Sequence, residues 1–233
     1  MEMNLHSLKS QARLAGLLYL LVTITGVYVI MYVPSQIFVP GDSVSTIKNI
    51  ISNEFLFRTG VLVDLITNTF FLLLAVALYR LLKSVNENLA KTMLALVIVQ
   101  VPVVFFMEAL NITSLMILKG EIFTTFALGQ SQDLAILLIK INEYGTLPLE
   151  MFWGLWLLPF GLLVYKSEFI PRIFGILILI AGIAYMVSST VGILFPDQIS
   201  LVRYPTLLFA GVGEISITLW LLIKGVKTKE LKA

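Results

Sequence analysis

The stretch "LLFAGVGEISITLWLLIKG" (residues 207–225) decides the fold, because it reads as hydrocarbon except for one carboxylate near its middle, Glu214. A helix rises about 1.5 Å per residue, so about 20 apolar residues cross a hydrocarbon core about 30 Å thick. A run of this length and composition is a membrane-spanning helix. The rest of the chain agrees. Of 233 residues, 58% are hydrophobic and 13% charged, against roughly 45–50% and about 25% in soluble domains. The net charge of +2 is too small to argue for nucleic acid as a partner.

Six stretches are long and apolar enough to span: 12–33, 57–82, 89–118, 144–165, 170–195 and 204–224. The first follows Lys9 and Arg13 as a signal peptide would, but its apolar run is too long and no small-residue cleavage site precedes Pro34, so it reads as a retained helix. The expected fold is all-α: one six-helix polytopic bundle over 1–233, lying in the lipid bilayer of the cell membrane.

Connections on one side are tight: "KSVNEN" (83–88), with Asn88 as helix cap, and "KSEFIPR" (166–172), with Pro171 in a first turn. The other side carries two short amphipathic helices. One covers about 43–56, with Val44, Ile47, Ile51 and Phe55 on one face and Asp42 or Ser43 as cap. The second covers about 132–142, aligning Leu134, Leu137, Leu138 and Ile141, with the start of the fourth span as the alternative reading. A single helix from 132 to 165 would run about 51 Å, so a break is expected near Gly145 and Pro148.

Basic residues orient the bundle. Lys9, Arg13, Arg80, Lys83, Lys91, Lys166, Arg172, Lys224, Lys227, Lys229 and Lys232 fall on one side, and only Lys48, Arg58, Lys119, Lys140 and Arg203 on the other. The expectation is that both termini are cytoplasmic.

The oddity of Glu214 recurs at Asp64 in "VLVDLITNTFF" (61–71), Glu108 in "VVFFMEALNIT" (103–113) and Glu150 in "TLPLEMFWGLW" (146–156). A charged side chain at a helix centre costs about 2.5–3.5 kcal/mol on insertion scales. The four should therefore face the bundle interior. Asp64 has Asn68 one turn on, Glu108 has Asn111, and Glu214 sits between Gly211 and Thr218. Helices 1 and 5 offer the small and polar stripes Gly16–Tyr19–Thr23–Gly26 and Gly175–Gly182–Tyr185–Ser189, suited to close packing. Counted from the outer helix ends at about 1.5 Å per residue, the four carboxylates lie roughly 9–15 Å deep. All are thus in the outer half of the membrane, and a shared interior site is expected. Arg58 is a candidate counter-charge, at a spacing that points it to a different side of its helix from Asp64.

Absent residues narrow the chemistry. There is no cysteine, so no disulfide or thiolate metal site, and the one histidine, His6, lies outside the spans. Bis-histidine haem, a histidine-based zinc site and a mid-membrane retinal lysine are not expected, and no hydrolase dyad is evident. No catalytic residues are assigned, and the reading leans away from an enzyme. "NIT" at Asn111 matches a glycosylation sequon inside a span and is a false match. An oxygen-ligand cation site or a carboxylate proton site remains chemically available.

Five segments, taken in order, carry a resemblance: "ARLAGLLYLL" (12–21), "FVPGD" (38–42), "LFRTGVLVDL" (56–65), "LYRLLKSVNENLA" (78–90) and "FWGLWLLPFGLLVYKSEFIPRIFGILILIAGIAY" (152–185). The chain resembles the uncharacterised prokaryotic membrane family called domain of unknown function 4386 over nearly its whole length. The resemblance implies a compact multi-helix membrane protein and supplies no activity or catalytic residue. From the residues, the leading functional expectation is an interior site of Asp64, Asn68, Glu108, Asn111, Glu150, Glu214 and Arg58 that handles a small cation, a proton-coupled solute or a lipid-like ligand. The alternative is a non-catalytic membrane subunit or regulator whose carboxylates only specify helix packing, and an intramembrane enzyme comes third.

Overall fold

The computed structural model describes residues 5–227; Lys229 and Lys232 of the basic-residue count lie outside them. Every regular element among the described residues is helical: α1 (Leu5–Val27), a π-helical segment (Tyr28–Tyr32), α2 (Val33–Ile37), α3 (Ser43–Ser52), α4 (Glu54–Leu82), α5 (Glu87–Leu118), α6 (Leu128–Lys166), α7 (Arg172–Leu194), a 3₁₀ turn (Pro196–Gln198) and α8 (Ile199–Ile223). Six helical stretches are long and apolar enough to cross a membrane: His6–Ile37, α4, α5, α6, α7 and Pro196–Ile223.

The chain forms two compact units. The first comprises described residues 5–21, 70–100 and 147–227; the second comprises Val22–Thr69 and Val101–Thr146. Helices α1, α4, α5 and α6 each contribute to both.

Glycine builds the first unit. Between membrane helices lipid offers no hydrophobic drive, so close backbone approach and hydrogen bonds do the packing. A methyl group at Gly154 of α6 would sit 2.5 Å from the Gly182 carbonyl oxygen of α7, and one at Gly175 would sit 2.7 Å from the Gly161 carbonyl oxygen. These two contacts, seven residues apart on each helix, make a seam of near-touching backbones. Gly213 of α8 meets Leu177 of α7 and Gly16 of α1 meets Leu222 of α8 in the same way. Larger side chains fill the space beside the seam, with Leu157, Phe160, Ile178 and Leu221 fully buried. The outward faces stay apolar, as lipid requires: Ile183, Leu208 and Ile223 are all exposed.

The second unit is packed by side chains instead. Val33, Ile37, Ile50, Phe57, Val61, Leu115 and Ile139 form its core. Tyr28, where the helix widens into its π segment, shares a 3.0 Å hydrogen bond with Thr59 of α4. Asp42 caps α3, accepting from the Ser45 amide at 2.9 Å and the Ser45 hydroxyl at 2.6 Å. At the far end of α5, Gly120 takes φ +70°, and the Glu121 and Gly120 amides return to the Met116 and Ile117 carbonyls, each at 3.0 Å. That left-handed turn closes the helix C-terminus.

Several local expectations are corrected. The cap of α5 is Asn86, whose side chain accepts from the Leu89 amide at 3.0 Å, rather than Asn88. Pro171 stands one position ahead of α7, not in its first turn. The first outer helix stops at Ser52, and Phe55 belongs to α4. Its buried residues are Thr46, Ile47 and Ile50, while Val44, Ile51 and Phe55 are exposed. Residues 132–142 are not a separate helix: α6 runs unbroken from Leu128 through Gly145 and Pro148 to Lys166. There the buried positions are Ala135 and Ile139, with Leu137 and Ile141 exposed. Both errors share a cause. Next to lipid, the apolar stripe that would be a core face in water can face outward, and the inward face is chosen by packing.

Continuity through Pro148 also has local support. A proline removes one helical hydrogen bond, and neighbouring groups can compensate. Within the second unit the Asn142 side chain donates to the Met107 carbonyl at 3.1 Å. Within the first, Ser189 donates to the Leu147 carbonyl at 2.7 Å. The turn of the helix leading into the proline is thus anchored at two positions.

Candidate functional site

The candidate residues fall into two groups, one in each unit. In the second unit the carboxyl groups of Asp64 and Glu108 lie close to one another. Both sit on long helices, α4 and α5, whose surfaces elsewhere bury Phe57, Val61 and Leu115. A carboxylate ion only accepts hydrogen bonds, so a bond between two carboxyl groups needs a proton on one of them. Three carboxamides surround the pair. Asn68 donates to Asp64 Oδ1 at 3.0 Å and to its backbone carbonyl at the same distance. Asn111 reaches both oxygens of Glu108, at 3.2 and 3.1 Å. Asn142 of α6 approaches Glu108 Oε1 at 3.5 Å. Glu108 is buried and Asp64 half-buried.

In the first unit Glu214 is held by two phenols: Tyr19 of α1 donates to Oε2 at 2.8 Å, and Tyr185 of α7 donates to Oε1 at 3.2 Å. Trp153 of α6 packs edge-on against the Tyr185 ring, with centroids 5.8 Å apart. Tyr19 is buried among aromatics, 6.3 Å from Trp156 and 6.4 Å from Phe160. Glu150 is 6% exposed, and its Oε2 is buried with no hydrogen-bond partner.

Asp64 and Glu108 thus belong to the second unit, and Glu150 and Glu214, the latter held by Tyr19 and Tyr185, to the first. Arg58 is paired elsewhere. Its Nε pairs with Glu54 Oε1, one turn back, at 2.7 Å, and Glu54 also pairs with Lys119 at 3.1 Å, which in turn meets Glu121 at 3.1 Å. This is a partly exposed network at the end of α5, and Glu54, with Glu121, holds the Lys119 ammonium above the usual lysine range. An arginine with a carboxylate four residues away on its own helix finds that partner first.

Sequence reasoning did not assign Asn142 or the two tyrosines to carboxylates. Tyr19 and Tyr185 were visible as members of polar stripes, and their spacing gives their helix face but not the residue they meet. Asn142 lies at the end of the segment read as an outer helix. Among the described residues no three of His, Cys, Asp and Glu are grouped so as to hold a metal ion.

Six helical stretches long and apolar enough to cross a membrane define a multi-pass integral membrane protein. The chain belongs to the family described as Domain of unknown function (DUF4386), whose model matches residues 14–225. It is similar to an uncharacterized protein of Archaeoglobus fulgidus, with 30% identity over 157 residues, covering 67% of this chain and 78% of the relative. No solved structure matches the chain.

Proposed function

We propose that this membrane protein binds a small cation or exchanges a proton at the Asp64–Glu108 pair, in the outer half of the bilayer of the cell membrane. The observation that carries the reading is the close approach of the two carboxyl groups, with the side-chain N–H groups of three asparagines turned on them. The two carboxyls offer the hard oxygen donors that a cation selects, and the three asparagines, which turn their side-chain N–H groups to them, hold those carboxyls in place. The proton the pair shares is what an arriving cation, or a solute moved with protons, would displace. An ionisable group inside a membrane is costly to keep, which favours a use for it.

Asn68 and Asn111 lie within one turn of the carboxyls they serve, and this favours a second reading, in which the pair only specifies packing in a non-catalytic subunit or regulator. Thermal unfolding in detergent separates the two. A cation present at about 100 times its dissociation constant stabilises the folded state by about 2.7 kcal/mol. The ion-site reading requires Na⁺ or Li⁺, but not bulky choline, to raise the Tm of the wild type and not of Asp64→Asn. Equal melting in all three salts, at every pH at which the protein folds, leaves the packing role.

The proposed orientation places both termini in the cytoplasm, supported by the basic-residue asymmetry. The chain has no cysteine, so single cysteines at Ser43 and Ser84 test it: the first should label from outside intact cells and the second should not. The opposite pattern inverts the topology.

A further inference from the structure

The second unit carries a cavity whose lining includes neither Asp64 nor Glu108. Three segments wall it: Ile47 and Ile51 of α3, Ile117 and Leu118 at the end of α5, and a stretch from Gly120 into the first turn of α6. Its volume is about 310 Å³, at the lower end of the range of about 300–1,000 Å³ for ligand sites. The walls are mostly apolar, and Thr124, Ser131 and Gln132 add a polar side. Apolar walls with a few polar groups suit an amphiphile.

The connection that closes the cavity is held in a strained shape. Phe123 takes φ +56°, in the left-handed region that bulky residues avoid. The Phe126 amide fixes the turn by donating to the Phe123 carbonyl at 3.0 Å, and the two rings lie 5.0 Å apart. Both rings line the cavity and stay exposed, as does Leu128 beside them. Val44, one turn ahead of Ile47 on α3, is exposed too. The cavity therefore opens through apolar surface, at helix ends where a bilayer has its headgroups. A lipid can enter it without crossing water.

The rim supplies a positive charge. Lys48 is exposed and lies three residues from Ile51, hence beside it on the α3 surface. It makes no ion pair among the described residues. Lys119, between the lining residues Leu118 and Gly120, is already paired with Glu54 and Glu121. Asp133 of α6 stands about 140° round its helix from Leu128, off the face that lines the cavity. We propose that the cavity seats one acyl chain of an anionic phospholipid from the surrounding bilayer, with the lipid phosphate at Lys48. A space of 310 Å³ equals a cube about 7 Å on edge, which admits a hydrocarbon chain and not a partner's helix about 10–12 Å across. The lipid's second chain stays in the bilayer. The site shares no residue with the Asp64–Glu108 pair and stands or falls apart from it.

The test illuminates the full chain in detergent with phosphatidylglycerol carrying a photoreactive diazirine at the end of one chain, and maps the labelled residues by peptide mass spectrometry. Labelling should saturate at one lipid per chain and fall within 47–51 and 117–132. Ser131→Trp, which fills the cavity, should cut it at least about tenfold, the factor that about 1.4 kcal/mol of lost binding gives. Should that variant fail to fold, Thr124→Trp, in the exposed connection, replaces it. Lys48→Gln should weaken binding about fivefold, the scale of one lysine beside anionic lipid. Unlabelled phosphatidylglycerol should displace the probe at lower concentration than phosphatidylcholine does. The proposal is overturned if labelling does not saturate, if the tryptophan variant leaves it unchanged, or if the two lipids compete equally. Displacement by oleate and not by phosphatidylglycerol would also overturn it, by making a free fatty acid the occupant.

Discussion

Tyr19 and Glu214, 195 positions apart in the chain, meet through a 2.8 Å hydrogen bond. That contact joins the first helix of the chain to the last and explains how Glu214 is tolerated in an apolar run. The phenol supplies a donor where lipid and hydrocarbon side chains offer none. Tyr19→Phe keeps the ring against Trp156 and Phe160 and removes only the donor. It should lower stability by about 1–3 kcal/mol, read as a lower midpoint of unfolding in detergent. A midpoint equal to wild type would show that Tyr185 alone suffices.

The glycine seam makes a sharper contrast. A Cβ at Gly175 would fall 2.7 Å from both the Gly161 carbonyl oxygen and the Tyr165 amide nitrogen, whereas one at Gly211 meets nothing within 4 Å. Gly175→Ala must push two backbones apart, and overpacking of this kind costs about 1–3 kcal/mol. Gly211→Ala should be neutral or stabilising by up to about 1 kcal/mol, since alanine is the better helix former. Thermal unfolding of the two variants side by side checks this, and the reverse order would contradict the seam.

How much of this was legible beforehand depended on the kind of signal. The six spans follow from run length and hydropathy, which need no knowledge of neighbours. Gly175, Gly182, Tyr185 and Ser189 were visible as one stripe, because helical spacing gives angular position. What spacing cannot supply is the partner across the gap. The run around Glu214 does not name the two phenols, from α1 and α7, that hold it. The face of α3 is not legible from its apolar stripe, because Val44, Ile51 and Phe55 look like a core face in water and yet are exposed, as apolar side chains beside lipid can be. Arg58 was linked to the buried carboxylates although Glu54, one turn away, was the nearer partner in the sequence itself.

The cap of α3 predicts a pH dependence. Hydrogen bonds from the Ser45 hydroxyl, then from the Ser45 amide, hold the Asp42 carboxyl below its ordinary value, about 3.9. A group lowered on folding contributes stability that is fully present above the unfolded value and is lost as the pH falls through the folded one. Hydrogen exchange at the Ser45 amide should thus stay slow down to about pH 4 and accelerate only below it. Asp42→Ala should show the fast exchange at every pH. An acceleration in the wild type already near neutrality would mean the cap is not what protects this turn.

The central claim is that Asp64 and Glu108 act as one ionisable unit with a proton between them. Static infrared spectra of the protonated-carboxyl band, compared among wild type, Asp64→Asn, Glu108→Gln and the double variant, measure this directly. The account predicts that each single change abolishes or shifts the same component, and that the double variant removes no more than one of them does. Two separate components, each deleted by one substitution and both by the double, would contradict it.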